Sequence, residues 1–467
     1  MSTVSAPRVS RQPATGSASY AKKDAATRTA AGVALWLGLL LVSYWWVTGG
    51  GVRDLAGWQS GLTSVGRLTG LVAADLLLVQ VLLMARIPLL ERAFGRDRLV
   101  RVHRLTGLTS FNLMVAHIVL ITWGYATGDL IATPGEFWDL TTNYPGMLLA
   151  VAGTACLVMV VVTSVKAARR RLRYESWHLL HLYGYLGAGL ALPHQLWTGQ
   201  DFTGSTARTV YWWSLWGLAA AAVLGLRVVV PLWHNARHQL RVTSVVAESN
   251  DTVSVYVTGR DVHRLRADAG QFFGWRFLDG PGWTRANPYS LSAAPDGRSL
   301  RITVKEAGDG SARLRSLKPG TRAFVEGPFG RLSGRARTRR RVALIGAGVG
   351  MAPLRALAEG LDYAPGEAVL LQRFTDRPLY ERELGVLARE RGLQVGWLPG
   401  HRRTADSWLP AGAGFADDVA ALRWWVPDVA GRDVYICGPE EWTESVRRAA
   451  LAAGVPDENL HIEYFEW

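Results

Sequence analysis

Five of the ten histidines lie inside, or at the ends of, strongly apolar segments: His103 and His117 in one, His178, His181 and His194 in another. An imidazole in hydrocarbon is costly and marks a functional position by default. His103 and His117 are fourteen residues apart, about four turns of a 3.6-residue helix, so both rings leave one face. His181 and His194 are thirteen apart, again close to a whole number of turns. At a rise of ~1.5 Å per residue, each pair is separated by roughly 20 Å along its helix. Two facing helices with matched pairs offer two stacked sites, each with an imidazole on either side of a flat metal macrocycle. His178, one turn before His181, fits the spacing to His194 less well. It reads as a contact behind the ligand or to the macrocycle's carboxylates, and it stays open as the alternative ligand. Taken singly, any of these residues also reads as an interhelical hydrogen-bonding histidine.

A second set of residues points to nucleotide chemistry. In Arg285-Ala286-Asn287-Pro288-Tyr289-Ser290 the aromatic ring can lie against an isoalloxazine, the hydroxyl can bond its N5 edge and the arginine can hold a diphosphate. Gly308-Asp309-Gly310-Ser311 then opens a predicted helix whose free N–H groups suit the same diphosphate. Gly346-Ala347-Gly348-Val349-Gly350-Met351-Ala352-Pro353 follows a predicted strand and opens a helix, the context a glycine-rich nucleotide loop requires. Pro353 falls where a dinucleotide-binding fold of the usual kind has no such residue. Cys437-Gly438-Pro439 ends a later predicted strand, at the edge where open α/β sheets bind ligands. Each of these short runs, read alone, is also an ordinary turn.

The elements that must position these residues can be read from hydropathy. Six segments, about 29–48, 66–86, 104–125, 145–165, 176–196 and 209–230, are apolar for about 20 residues each, the length that spans a bilayer. The first has no clear cleavage site and reads as a retained span. Arg92, Arg96, Arg98 and Arg101 follow the second span and Lys166, Arg169, Arg170, Arg171 and Arg173 the fourth, whereas the loop after the third holds Asp129, Glu136 and Asp139 without a base. The positive-inside rule then puts both termini in the cytoplasm. The formal net charge of +14 is carried largely by such runs, which argues for a lipid bilayer partner and against nucleic acid. With two cysteines, Cys156 and Cys437, neither a disulfide framework nor a cysteine-held cluster can be built.

After about residue 236 short alternating runs separated by Gly, Pro, Asp and Asn predict a small antiparallel barrel. From about 338 strand and helix patterns alternate, predicting a doubly wound parallel sheet. The expected organisation is a disordered cytoplasmic tail over 1–28, a six-helix transmembrane bundle over 29–235, an antiparallel β-barrel over 236–336 and an α/β nucleotide-binding domain over 337–467.

Together these motifs resemble the NADPH oxidase and ferric reductase superfamily, a ferric-reductase-like membrane domain fused to a ferredoxin-reductase-type module. The resemblance covers nearly everything from about residue 60 onward. It implies two b-type haems held by His103, His117, His181 and His194, FAD at Arg285, Asn287, Pro288, Tyr289, Ser290, Gly310 and Ser311, and NAD(P)H at Gly346, Gly348, Gly350, Pro353, Cys437, Gly438 and Pro439. Asn287-Pro288-Tyr289-Ser290 is similar to the family's His-Pro-Phe-Thr/Ser segment, with Asn in place of His. A C-terminal aromatic ring that covers the flavin is implied at Phe465 by motif or Trp467 by position; the same run also reads as a core strand. Tyr289, Ser290, Cys437 and Phe465 are the residues expected at the reacting atoms.

The implied activity is electron transfer from cytoplasmic NAD(P)H through FAD and two haems to an acceptor at the outer face of the cell membrane. Gln372-Arg373-Phe374 ends the second strand of the nucleotide domain without the acid that binds a ribose 2′-OH, so Arg373, helped by Arg402 or Arg403, favours NADPH. In the family's superoxide-producing members a further histidine lies one turn beyond the outer ligand of the third span. Here Ile121 stands there, with Thr122 and Trp123 as the nearest donors, so a ferric complex is favoured over dioxygen. The acidic loop after the third span attracts cations and points the same way. The rival classes are a transporter, for which Asp75 is the attractive intramembrane acid, and a haem-free reductase using the spans as an anchor.

Overall fold

The computed structural model describes residues 17–172, 174–280, 283 and 285–465. They divide into two compact units, Ala26–Val229 and a second made of Val230 onward with the residues before Ala26.

The long helices of the first unit are Ser17–Thr48 (α1), Trp58–Met84 (α2), Arg96–Tyr125 (α3), Met147–Ser164 (α4), Tyr174–Trp197 (α5) and Thr206–Leu224 (α6). Among the described residues, five stretches are long and apolar enough to cross a membrane. α5 is the sixth long helix expected, but it is not one of the five, because His178, His181, His194 and Gln195 thread polar groups through it. The tail expected to be disordered to residue 28 is helical from Ser17. Its Ala-rich composition extends the first span by more than two turns. After α6 the chain passes through a π-helical turn, Gly225–Val229, into Val230–His238 (α7).

Close approach of helix backbones sets the packing of the histidine-bearing helices. α4 and α5 meet at Gly153 and Gly187: a Cβ added to Gly187 would lie 2.9 Å from the Gly153 carbonyl oxygen, and one added to Gly153 would lie 2.7 Å from that of Gly187. On α2, a Cβ at Gly70 would lie 2.5 Å from Nδ1 of His117 on α3. Small residues let transmembrane helices approach closely where no hydrophobic effect drives them together.

In the second unit Arg241–Ala247 (β1), Thr252–Thr258 (β2), Phe272–Phe277 (β3), Asn287–Ser290 (β4), Ser299–Lys305 (β5) and Ala323–Phe329 (β6) are antiparallel. The expected barrel is two three-stranded sheets, ordered β1-β2-β5 and β4-β3-β6, bridged singly at Arg241–Arg322 and Leu291–Ile302. Alternating residues such as Val253, Val255, Val257, Phe273, Trp275 and Ile302 bury one shared core between them. α7 docks on this half through Asn235, whose amide exchanges hydrogen bonds of 2.8 and 2.7 Å with the main chain of Val325.

The chain then runs Val342–Ala347 (β7), Met351–Gly360 (α8), Ala368–Phe374 (β8), Glu381–Arg391 (α9), Gln394–Pro399 (β9), Asp418–Trp425 (α10), Asp433–Pro439 (β10), Glu440–Ala452 (α11) and Leu460–Phe465 (β11). Its five strands are parallel in the order β11-β10-β7-β8-β9. α8 and α9 cover one face and α10 and α11 the other. The order reverses direction between β7 and β10, which opens a crevice at their carboxyl ends.

Gly187→Val should force α4 and α5 apart, lowering stability by about 1–3 kcal/mol as overpacking does. A Cβ at Gly189 on the same helix meets nothing within 4 Å, so Gly189→Val should be tolerated. Thermal melting of the detergent-solubilised chain followed by size-exclusion chromatography compares the two, and equal melting points would refute this account of the helix contact.

Candidate functional site

The helical unit encloses a cavity of about 1830 Å³ lined by His103, His117, His178, His181 and His194. That exceeds the roughly 300–1,000 Å³ of a single ligand pocket. The backbone of α2 aims the two rings of α3: Nδ1 of His117 donates to Gly66 O at 2.8 Å, and Nδ1 of His103 to Gln80 O at 3.2 Å. On α5, Nδ1 of His194 donates to Ala191 O at 2.6 Å, and Nδ1 of His181 lies 3.3 Å from the Ser164 hydroxyl of α4. A carbonyl only accepts, so three of these rings carry their proton on Nδ1 and keep Nε2 as the lone-pair nitrogen, the form that ligates a metal.

His103 and His181 face each other with ring centroids 6.0 Å apart and planes at 65°. Trp177 leans on His181 with centroids 5.0 Å apart. His178 lines the same cavity one turn away. Among the described residues no three His, Cys, Asp or Glu side chains gather as a group to hold a bare ion.

Two charged groups at this cavity were not singled out from the sequence. Arg67 of α2 lines it and is paired with Asp201 through bonds of 2.9 and 3.1 Å, while Arg208 binds the same carboxylate at 3.0 Å. An arginine at the start of an apolar run was the available signal. Arg86, Arg96, Arg104 and Arg227 line the cavity as well.

In the second unit β4 carries Asn287, Pro288, Tyr289 and Ser290, with Tyr289 opposite Phe273 and Asn287 opposite Trp275. Trp275 Nε1 donates to the Tyr289 carbonyl at 3.2 Å, which fixes the strand's register. Burial pushes the Tyr289 hydroxyl up to about 12 against the pull of Arg285 and Arg313, so the phenol stays neutral. Arg285, Asn287 and Gly310 converge: a Cβ on Gly310 would lie 3.8 Å from an Arg285 nitrogen and 4.0 Å from Asn287 Oδ1. The helix expected from Ser311 is instead a single turn, Asp309–Ala312, followed by a 3₁₀ turn, Arg313–Ser316. The Ser311 hydroxyl is used within it, accepting from Ala307 N at 2.8 Å and donating to Gly308 O at 2.9 Å.

The two nucleotide cues, ninety residues apart in sequence, meet at the switch point. Gly348 has φ +55° at the turn, and a Cβ on Gly350 would collide with the Cys437 carbonyl, so the glycine loop lies directly on Cys437-Gly438. Pro353 sits in the first turn of α8, where its missing N–H has no helical partner to lose. Burial, with the Glu463 carboxylate adding to it, pushes the Cys437 thiol well above its usual range. Arg373 ends β8 and donates to Gly400 O at 3.3 Å. Burial and then the neighbouring Arg402 lower its proton affinity, a sign of two cations sharing one edge. Arg403 donates to Phe415 O at 3.0 Å. Phe465 ends β11 beside Pro439 and packs against the sheet's core. Trp467 lies outside the described residues.

An ionic network that no motif announced joins the antiparallel sheets to the parallel one. Arg301 of β5, with 6% of its side chain exposed, grips Glu383 of α9 at 2.8 and 3.1 Å and Ser292 O at 2.6 Å. Arg355 of α8 reaches Glu383 at 2.6 Å and also pairs with Glu359. Burial raises the Glu383 carboxyl, but Arg301 and Arg355 outweigh it and hold the group below its ordinary range.

The family model for the ferric reductase like transmembrane component matches residues 69–192, the stretch that holds His103, His117 and His181; His194 lies just beyond its end. The second unit is similar to the ferredoxin reductase component of 3-ketosteroid-9-alpha-monooxygenase from Mycolicibacterium smegmatis, 32% identical over 49% of this chain and 65% of that protein. It is also similar to the ferredoxin–NAD(+) reductase component of the alkene monooxygenase system of Xanthobacter autotrophicus, 30% identical over 49% of this chain and 70% of that protein. A flavohemoprotein of Pseudomonas putida matches at 28% identity over 50% of this chain and 60% of its own length. The chain joins a ferric-reductase-like transmembrane domain to a ferredoxin-reductase-type FAD and NAD module, the architecture of the fused ferric reductases and NADPH oxidases, which makes it a membrane flavoprotein oxidoreductase. The chain spans 60–65% of the length of the first relatives it matches, so their whole activities stay theirs.

Glu383→Gln leaves Arg301 buried without its charge partner and should cost about 3–5 kcal/mol. The wild-type carboxyl titrates below its ordinary value, so its stabilisation is present above about pH 4.3 and is lost as pH falls through the lower folded value. Melting curves taken from neutral to acid pH should show a lower, flatter profile in the variant. An identical acid limb in both proteins would exclude this role for Glu383.

Proposed function

We propose that the chain carries electrons from cytoplasmic NAD(P)H through FAD and two b-type haems to a ferric complex at the outer face of the cell membrane. The observation that carries this reading is one cavity in the helical unit lined by His103 and His117 of α3 and by His178, His181 and His194 of α5, with Nδ1 of His103, His117 and His194 already committed to a backbone carbonyl. His103 and His181 would hold the inner haem, and His117 and His194 the outer one. Bound in their sites, FAD would supply the conversion of a hydride donor into single electrons and the haems a relay through hydrocarbon.

The chain's own residues bind and orient. Arg285 and the Gly310-Ser311 turn suit a diphosphate, and Tyr289 and Ser290 face the flavin ring. Gly346, Gly348, Gly350, Cys437, Gly438 and Pro439 form the nicotinamide crevice, with the Cys437 thiol protonated and Phe465 at its edge. Arg373 and Arg402 offer a 2′-phosphate two cations, which favours NADPH. The basic runs after the second and fourth spans favour a cytoplasmic second unit.

The acceptor is read from the third span. Ile121, one turn beyond His117, packs against Gly66, where a Cβ would lie 2.9 Å from its Cγ1. The Thr122 hydroxyl donates to Ile118 O at 2.7 Å and Trp123 Nε1 to Gly128 O at 2.8 Å, so both nearby donors are engaged by the main chain. Polar help for bound dioxygen is thus missing there, and Asp129, Glu136 and Asp139 mark the adjoining loop for a cation. Superoxide production is the alternative.

His117→Leu and His194→Leu should each remove about half the haem and leave flavin content intact, as pyridine haemochrome and flavin fluorescence would report; full haem in either variant would sink the assignment. His181→Leu should do the same at the inner site while His178→Leu retains both haems. Arg373→Ala should raise KM for NADPH about 10- to 100-fold, the loss of a charged hydrogen bond of about 1.5–3 kcal/mol, with little change for NADH. Under argon, NADPH oxidation should proceed with a ferric salt. If it requires oxygen and ferric iron does not sustain it, the chain is an oxidase.

A further inference from the structure

Asp75 lies in the middle of α2 with 1% of its surface exposed, and the redox path described above makes no use of it. Its Oδ1 accepts a 2.5 Å hydrogen bond from the Tyr211 hydroxyl of α6, and its buried Oδ2 has no hydrogen-bond partner. α1 closes the third side at Gly38, where a Cβ would lie 2.9 Å from the Tyr211 hydroxyl and 3.5 Å from both carboxyl oxygens. The surrounding cluster is apolar, formed by Val42 of α1, Leu71, Ala74 and Leu78 of α2, and Trp212 of α6. Residues 33–42 of α1 and 71–79 of α2 contain no other ionisable side chain. On α6, Arg208 stands one turn from Tyr211 and is engaged by Asp201 at 3.0 Å and by Trp45 O at 3.0 Å. Tyr211 is therefore the titratable group that faces Asp75 from the three helices around it.

The position of this carboxyl along α2 matters as much as its burial. The same helix holds His117 through Gly66 O and His103 through Gln80 O. Asp75 comes nine residues after the first contact and five before the second, about 14 Å and 8 Å along the axis at ~1.5 Å per residue. It thus lies at a depth between the two histidine levels. Gly70, Ala73, Leu77 and Gln80 line the cavity from α2, with Leu71 and Ala74 at its margin, whereas Asp75 does not line it. Asp75 is on the other side of a helix whose diameter is about 10–12 Å. Across so short and apolar a gap a charge on the carboxyl acts strongly on any charge in the cavity.

We infer that Asp75 is a proton site linked to the redox state of the membrane domain. The inference rests on the two-haem reading. When one electron enters the cavity, the proton affinity of Asp75 rises, and its carboxylate takes one proton from water onto Oδ2. When the electron leaves for the outer acceptor, that O–H bond breaks and the proton returns to water. Tyr211 donates to Oδ1 throughout and holds the carboxyl in place. The electron comes from NAD(P)H, so each electron passing is matched by one proton bound and released. The membrane interior thereby keeps its net charge.

Potentiometric titration of the haem bands in the purified full-length chain, repeated across the neutral pH range, tests this without turnover. The wild-type midpoint should fall as pH rises, the fall should vanish in Asp75→Asn, and Asp75→Glu should restore it. Reduced-minus-oxidised infrared spectra should also show a protonated-carboxyl band that Asp75→Asn removes and Tyr211→Phe displaces. A wild-type midpoint independent of pH, or an unchanged slope in Asp75→Asn, overturns the inference while leaving the haem reading intact. If Asp75→Asn fails to accumulate, an unshifted band in Tyr211→Phe overturns it. A wild type without haem bands overturns the haem reading, and this inference with it.

Discussion

The structure of the membrane half depends on one constraint, that an imidazole buried away from water must find an acceptor for its N–H. α2 answers it with main-chain oxygens at Gly66 and Gln80, and α5 answers it from within at Ala191. The consequence reaches the packing. For a ring of α3 to reach a carbonyl of α2, the two backbones must lie close, and a side chain at Gly70 would occupy the place of the His117 ring. The Gly153–Gly187 contact does the same for α4 and α5, where the Ser164 hydroxyl stands beside His181. Close helix packing and a set tautomer are one arrangement seen at two scales.

The second unit solves a different problem, holding two antiparallel sheets and a parallel one in a single body. The parallel sheet places the glycine loop and Cys437-Gly438 together through strand order alone, because β7 and β10 are neighbours although nearly ninety residues separate them. The antiparallel sheets are joined to it by charge. Arg301 is almost fully buried, and its stacking beneath Tyr380, with 5.3 Å from guanidinium to ring, adds to the pairing with Glu383. A network of this kind contributes little net stability over an apolar substitute, but it specifies a single register between the two sheets.

Expectation and structure part at places that share a cause. The tail is expected to be unstructured because it lacks apolar periodicity, yet α1 reaches back to Ser17, where Arg335 lies over the Tyr20 ring and pairs with Asp24 at 3.5 Å. The barrel is two sheets with single bridges at Arg241–Arg322 and Leu291–Ile302, and bulges lie inside the β1–β2 and β3–β6 pairs. The diphosphate turn is shorter than a helix. α5 is less apolar than a span of its length needs, because His178, His181, His194 and Gln195 interrupt it. In each case the period of side chains along one segment does not report what the neighbouring segment requires.

What the sequence determined by itself was whatever repeats along a single element. Fourteen- and thirteen-residue histidine spacings, apolar lengths near 20 residues, and a strand ending in Gly-Ala-Gly-Val-Gly are local, so helix and strand geometry converts them directly into sites. What only the tertiary structure decided was pairing across elements: His103 facing His181, Gly66 and Gln80 serving as acceptors, Arg301 meeting Glu383, and Asp75 meeting Tyr211 at 136 residues' remove. These partners are backbone oxygens or common charged residues with no pattern of their own. A residue type records that a group needs a partner, whereas the fold alone settles which distant atom comes within hydrogen-bond reach.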